Sequence, residues 1–342
     1  MKTYCDDIKQ VTLLPLPWEK LQGCNILVTG ATGLIGNCLV EVLMQREVAD
    51  FHVWAMGRSE NRAHELFAPY ADNPRFHFLC SDVTKPLDLD IAFHYIIHAA
   101  SPASPAFFAA QPVETMLSNI LGVRNLMDYG LQHGLQRFLY ISSGEVYGEG
   151  DGHDFSESDS GYVDSMSPRS CYPSSKRAAE TLCASYSSEY GVDFVVARPC
   201  HTYGPHFTEQ DNRVYAQFIR NVLHGQDIVM KSTGEQCRSW CYVVDAASAL
   251  LHILLKGDSG QAYNVADPSS DITIRQLAEM VASIGGRQVV MQLPEEQERK
   301  GYNPVKRSVF NTDKLRALGW KIEGSMSEKM ERTIERCKQI DN

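Results

Sequence analysis

Three glycines set three residues apart, Gly30, Gly33 and Gly36, follow directly on an apolar run at 25–29 and open a segment with helical apolar spacing at Leu39, Val42 and Leu43. In a strand-to-helix turn, glycines at this spacing permit a tight bend, close backbone approach to a ligand, and close packing of helix on strand. The helix start then offers unpaired N–H groups and the positive end of its dipole, which suits a pyrophosphate. We therefore read Gly30, Thr32, Gly33, Leu34, Ile35 and Gly36 as a dinucleotide cradle that opens a parallel α/β sheet.

The chain beyond supports that reading. Short β-rich runs at 51–56, 75–80, 94–99, 137–142 and 193–197 alternate with helical periods, one of them carrying Val113, Met116, Leu117, Ile120 and Val123. Strand and helix in alternation predict an α/β protein with a doubly wound parallel sheet, its ligand beyond the carboxyl ends of the strands. After residue 197 the pattern loosens. Helices are expected near 215–223, 273–284 and 327–340, and the apolar stretch 240–255 is expected to return to the sheet. This divides the chain into an N-terminal extension (1–20), a dinucleotide-binding domain (21–197 plus 240–258) and a smaller C-terminal α/β substrate-binding domain (198–239 plus 259–342).

Composition narrows the function. With 32 basic and 42 acidic residues the net charge is −10, the wrong sign for a nucleic-acid groove or an anionic membrane surface. The first ten residues, MKTYCDDIKQ, lack the apolar core of a leader, and no window reaches the roughly 18 consecutive apolar residues of a membrane span, so a cytoplasmic protein is expected. The ten cysteines are scattered singly and read as reduced core residues. The nearest pair, Cys237 and Cys241, lacks a second pair or a histidine cluster, so no metal site is expected.

The second run ends in Gly57-Arg58, where an acidic residue would bind a ribose 2′-hydroxyl. Glycine followed by arginine leaves room for a 2′-phosphate, so NAD and NADP both stay open, with NADP favoured. Asp82, with Val83 beside it, is placed to reach the adenine edge. Ser143 closes the fifth run, and Tyr172 and Lys176 stand four apart, on one face of a helix. A neighbouring ammonium is expected to lower the phenol pKa and equip Tyr172 to move a proton as an alcohol is oxidised, with Ser143 on the same oxygen. Tyr and Lys at this spacing are also common as a surface pair; the glycine turn upstream makes the set specific.

These residues resemble the extended short-chain dehydrogenases/reductases, in the NAD(P)-dependent epimerase/dehydratase branch that remodels nucleotide sugars. The likeness spans about residues 23–342. Its most specific stretches are His98-Ala99-Ala100-Ser101-Pro102-Ala103-Ser104-Pro105, Glu145-Val146-Tyr147-Gly148, Pro168-Arg169-Ser170-Cys171-Tyr172, and Arg198 through Gly204-Pro205. They are similar to UDP-glucuronate decarboxylases. The resemblance implies a Rossmann-type fold, a homodimer, and a catalytic set of Ser143, Tyr172 and Lys176 with Glu145. It places Ala99, Ala100, Ser101 and Asn119 beside the cofactor, and Ser104, Glu145, His201, Arg213, Arg238 and Arg307 toward the nucleotide sugar.

The chemistry implied is oxidation at sugar C4 to a 4-keto intermediate, from which decarboxylation, epimerisation, dehydration or simple reduction diverge. Two positions depart from the decarboxylase pattern. Gly144 stands where decarboxylases carry Ser and 4,6-dehydratases an acidic Asp, and His201 stands where the family has a substrate-binding Asn. A UDP-glucuronate decarboxylase-like activity is the best match, with a 4-epimerase, a 4-keto-sugar reductase or a 4,6-dehydratase as alternatives. A dinucleotide-binding redox sensor is the non-enzymatic alternative, and the intact Ser143, Tyr172 and Lys176 speak against it.

Overall fold

The computed structural model describes residues 2–48, 50–208, 211–292 and 306–341. In chain order the elements begin with α1 (Tyr4–Thr12), β1 (Cys24–Thr29), α2 (Leu34–Gln45), β2 (Phe51–Gly57), α3 (Glu60–Phe67), β3 (Phe76–Cys80) and β4 (Tyr95–His98). Next come α4 (Pro105–Ala110), α5 (Pro112–Gln132), β5 (Arg137–Ile141), α6 (Cys171–Tyr190), β6 (Phe194–Pro199), β7 (His201–Tyr203), α7 (Val214–Leu223) and β8 (Ile228–Met230). The remainder comprises β9 (Cys237–Tyr242), α8 (Val243–Lys256), β10 (Gln261–Val265), β11 (Asp267–Thr273), α9 (Ile274–Ile284), β12 (Val289–Met291), β13 (Arg307–Ser308), α10 (Asp313–Ala317) and α11 (Met326–Asp341).

Seven strands form one sheet in the order β10-β6-β5-β4-β1-β2-β3, and every pairing in it is parallel. The central strands read as apolar on both faces because both are covered: Ile26, Leu27, Val28, Ile96, Ile97, Phe138 and Leu139 are all buried. On one face lie α2 and α8; on the other, α5 packs against α6. The order reverses at β1 and β4, and a ligand crevice belongs beyond their carboxyl ends. A second sheet holds β11, β9 and β13, with β7 also paired to β9, and β12 pairs with β8.

The stretch 240–255 does not return to the large sheet as expected. Its strand, β9, joins the second sheet, and the helix α8 is what packs back on β5 and β6. Trp240, Cys241 and Tyr242 are buried, so β9 carries the apolar signature of a central strand while sitting in the smaller sheet. The seventh strand of the large sheet is β10, which lies within 259–342, the stretch assigned above to the second domain.

Residues 1–20 pack on the body. Thr3 and Asp6 form a reciprocal capping box at the start of α1, a device worth about 1 kcal/mol. Tyr4 donates to Glu41 of α2 at 2.5 Å, and Asp7 accepts from Tyr242 at 3.1 Å while pairing with Arg332 of α11 at 2.7 Å. The apolar period of α5 is only partly core. Val123 is buried, but Val113, Met116 and Leu117 are 61, 37 and 46 % exposed, since they share the face opposite Thr115, Asn119 and Gly122. All ten cysteines are free thiols, and no helix among the described residues is long and apolar enough to cross a membrane.

Candidate active site

The glycine turn forms a cradle that side chains would fill. Gly30 sits at φ +64°, and a Cβ there would lie 2.7 Å from the Ala100 backbone nitrogen. A Cβ on Gly36 would lie 2.3 Å from the Gly30 carbonyl oxygen, so helix α2 rests directly on the turn. Gly33 caps α2 without a side-chain bond, which leaves the first-turn amides at Leu34 and Ile35 to a ligand. Thr32 lies beside Gly57 across the turn. Ala99 and Ala100 bond back to Thr29 through their amides, both at 3.3 Å, which fixes the second wall. These residues fit a dinucleotide.

At the adenosine end Arg58 is exposed at the tip of β2. The Asp82 carboxylate accepts from Thr84 N and Oγ1, both at 2.9 Å; partial burial opposes its ionisation, but these bonds and the nearby Arg58 hold its pKa below the usual range. Val83 follows it, anchored through its carbonyl by Asn125 of α5 at 2.9 Å. Arg62 of α3 carries no sequence signal, yet its Nε donates to Thr32 O at 3.0 Å and its Nη2 to His206 O at 3.3 Å, tying the cradle to the loop after β7.

Beyond the ends of β4 and β5 the residues expected to move a proton converge. Ser143 begins the short turn Gly144–Tyr147, its Oγ accepting from the Glu145 amide at 3.1 Å. Tyr172 and Lys176 lie one turn apart on α6, both buried. Lys176 Nζ donates to Ile141 O at 2.8 Å and stands 5.7 Å from the centre of the Tyr172 ring. Ser101 Oγ donates to Asn119 Oδ1 at 2.7 Å, Asn119 Nδ2 donates to Ser175 Oγ at 2.9 Å, and Ser175 Oγ donates to Tyr172 O at 3.1 Å. This relay locks α5 to α6 under the tyrosine.

The expected lowering of the Tyr172 pKa is not what the structure gives. Burial, and then the Glu145 carboxylate, push the phenol up to about 12, against the pull of Ser143, Arg213 and Ser101. Burial of the ammonium likewise drives Lys176 down to about 7, so its charge is too weakly held to dominate the phenol. His98, beneath them, is pushed to about 3 by burial and by Lys176, and is a neutral hydrogen-bonding partner of Thr29 at 2.7 Å.

Glu145 and Tyr172 share a second connection. Arg169 Nη2 donates to Glu145 Oε1 at 2.9 Å and Oε2 at 3.0 Å, and its guanidinium carbon lies 5.0 Å from the centre of the Phe108 ring. Phe108 in turn stacks on Tyr172, with ring centres 4.3 Å apart and planes at 19°. Nothing in a motif marks Phe108, and the only sequence sign for Arg169 is its place three residues before Tyr172.

The glycine at 144 has a structural counterpart. A Cβ there would lie 2.3 Å from Cζ of Phe310, whose buried ring fills the space of the missing side chain. Phe310 belongs to an aromatic wall with Tyr147 and Phe155, and its amide donates to Ser239 Oγ at 3.1 Å.

The remaining substrate candidates come from β7, β9, β13 and the loops before α4 and α7. Arg213 donates from Nε to both Asp211 oxygens, at 2.9 and 3.1 Å, and from Nη2 to Tyr215 at 2.9 Å, yet its charge still reaches Tyr172. Ser104 donates to Asn212 at 3.0 Å, one residue before Arg213. His201 is exposed at the start of β7 and packs its ring on Trp240; burial of the ring against its neighbours, then Arg238 and Arg213, lower its pKa. Arg238 is buried on β9, with Nη1 donating to Cys237 O at 2.8 Å. Arg307 sits beside it on β13, but its guanidinium pairs with Asp154 at 2.5 Å on the exposed side.

Comparison with known proteins follows the same lines. The family model "NAD dependent epimerase/dehydratase family" matches residues 26–266. UDP-glucuronic acid decarboxylase 6 of Arabidopsis thaliana is 34% identical over 307 residues, 89% of this chain and 86% of that protein. UDP-glucuronic acid decarboxylase 1 of Danio rerio is 31% identical over 314 residues, 91% of this chain and 72% of that protein. Among solved structures, the UDP-glucose 4-epimerase of Thermotoga maritima with UDP-glucose superposes with a TM-score of 0.79 at 24% identity, covering 93% of this chain and 100% of that one. A Thermus thermophilus UDP-glucose 4-epimerase in complex with NAD gives 0.75 at 25% identity, covering 92% and 99%.

Proposed function

The chain belongs to the NAD dependent epimerase/dehydratase family, and from that membership we propose that it decarboxylates UDP-glucuronate through a 4-keto intermediate. It is an NAD(P)-dependent nucleotide-sugar enzyme of an NAD-dependent family. The observation that carries the specific reading is the convergence of Ser143, Tyr172 and Glu145 on one point beyond β5, beside the dinucleotide cradle.

The cradle residues Gly30, Gly33 and Gly36 with Leu34 and Ile35 would hold the pyrophosphate, and Tyr172 and Lys176 would lie toward the nicotinamide end. When bound, the cofactor supplies a hydride acceptor for C4, a hydride donor for the return, and in its oxidised form a positive charge that favours the Tyr172 phenolate. Tyr172 takes the C4-hydroxyl proton, and Ser143 donates to the same oxygen. With C4 a ketone, the C5–C6 bond breaks, CO₂ departs, and the electron pair moves to the C4 oxygen as an enolate that Ser143 and Tyr172 hold by hydrogen bonds. C5 then gains a proton drawn from solvent, which Glu145, on the same turn as Ser143, is placed to relay. Tyr172 finally returns its proton as C4 is reduced, leaving a pentose.

Gly144 favours one alternative. Without a side chain there the turn lacks the acid that would protonate a leaving hydroxyl at that position, which disfavours dehydration, whereas a 4-epimerase needs no such group. For the cofactor, the exposed Arg58 after Gly57 supports NADP over NAD. The ten free cysteines suit a cytoplasmic setting, and the exposed apolar face of α5 suits a homodimer.

Tyr172→Phe tests the site. The variant is expected to lose at least about a thousandfold in turnover, within the range for a removed general acid–base, while still binding the dinucleotide. Titrating that variant with NADP⁺ and NAD⁺ ranks the two. Turnover at the parent rate would refute the assignment.

A further inference from the structure

Arg169 occupies an unusual position. One of its nitrogens, Nη2, holds both oxygens of Glu145, and its face lies on Phe108, which is itself stacked on Tyr172. The Arg169 and Glu145 side chains are 46 and 38 % exposed, so the pair is open to solvent and is not sealed in the core. The remaining donors of the guanidinium, Nε and Nη1, have no partner among the described residues. With Nη2 engaged, Nε and Nη1 lie on different sides of the guanidinium, so each is left to offer a second carboxylate a single charged hydrogen bond.

The surroundings sharpen the argument. A sugar acid brought to Tyr172 meets the Glu145 carboxylate, which already raises the phenol by its charge. Two carboxylates without a cation between them repel in a partly desolvated cleft. The other arginine suggested for such a role, Arg307, is engaged by Asp154 on the exposed side, and Arg213 is held by Asp211. Arg169 is the cation that sits between Glu145 and the tyrosine's stacking partner.

We propose that Arg169 is the specificity-determining residue for the acid group of the sugar: it neutralises Glu145 with one nitrogen and receives the C6 carboxylate of a hexuronate on one of its two unengaged donors. This rests on the reading of a glucuronate substrate and deepens it, since a neutral hexose gains nothing from the open donors. The rigid backing by Phe108 ties recognition of C6 to the placement of Tyr172 at C4.

The test uses cofactor-loaded full-length protein carrying Tyr172→Phe, so that nothing turns over, with Arg169 intact or replaced by Gln. Calorimetry with UDP-glucuronate and UDP-glucose reads the preference for the acid. With Arg169 present, UDP-glucuronate is expected to bind about ten- to a hundredfold tighter than UDP-glucose, the span of a lost charged hydrogen bond. Arg169→Gln is expected to abolish that ratio by weakening UDP-glucuronate alone. A ratio that survives the substitution, or an equal loss for both sugars, overturns the proposal.

Should Arg169→Gln bind neither sugar, Arg169→Lys decides: a reduced but persisting preference supports the proposal, and an unreduced preference or equal affinities oppose it. CO₂ release by the unsubstituted protein is scored separately. No CO₂ with an Arg169-dependent preference refutes the decarboxylase reading and leaves the recognition role standing.

Discussion

Gly144 and Phe310 behave as one unit: the ring at 310 occupies the volume that any side chain at 144 would need. Gly144→Ser therefore overpacks the turn that carries Ser143 and Glu145, a change that typically costs about 1–3 kcal/mol. Phe310→Ala alone leaves a cavity, at about 3–5 kcal/mol. The double variant is expected to be destabilised by less than the sum of the two, by at least about 1 kcal/mol, because each change relieves the other. Thermal melts of the four proteins measure this, and strictly additive losses would show that the two positions do not communicate. The departure at 144 was visible in the sequence; its cause was not, since Phe310 lies far along the chain and reaches the turn through its bridge to Phe155 and its bond to Ser239.

At the scale of elements, the strands of the first two hundred residues were legible because each is a short apolar run bounded by turn residues. β1 to β6 fall within a residue or two of expectation. The errors have physical sources. β9 is buried on both faces in a small sheet and so mimics a strand of the large one, while β10 is short and its polar Gln261 and Asn264 disguise a sheet-edge strand. In α5, apolar spacing alone does not say which face is inward, and the buried Thr115 and Asn119 show that the polar side is the inner one here. The outer face, with Val113, Met116 and Leu117, calls for a partner, and a second copy meeting α5 and α6 would cover it. Light scattering is expected to give a dimer, and Leu117→Glu a monomer with a similar melting temperature; a monomeric parent protein would reject this interface.

The whole molecule brings residues from both halves of the chain to one end of the large sheet. The glycine turn, the Ser143 turn and the start of α6 come from the sheet and its helices, while Arg213, Arg238 and His201 arrive from the smaller sheet and its loops. The parts of the site that the sequence revealed are those fixed by local spacing: the three glycines, and Tyr172 with Lys176. The parts it did not reveal depend on contacts across the chain, such as Phe108 on Tyr172 or Arg62 on Thr32. The electrostatics also emerge only in three dimensions, since burial decides the state of Lys176 and His98 more than any neighbouring charge. On the proposed function, this assembly removes a carboxyl group from a sugar acid. Incubation of the purified protein with a dinucleotide and UDP-glucuronate labelled at C6, with labelled CO₂ collected and the nucleotide sugar weighed by mass spectrometry, tests this directly. Stoichiometric release of labelled CO₂ and a UDP-pentose are expected; a product of unchanged mass that retains the label would contradict the decarboxylation.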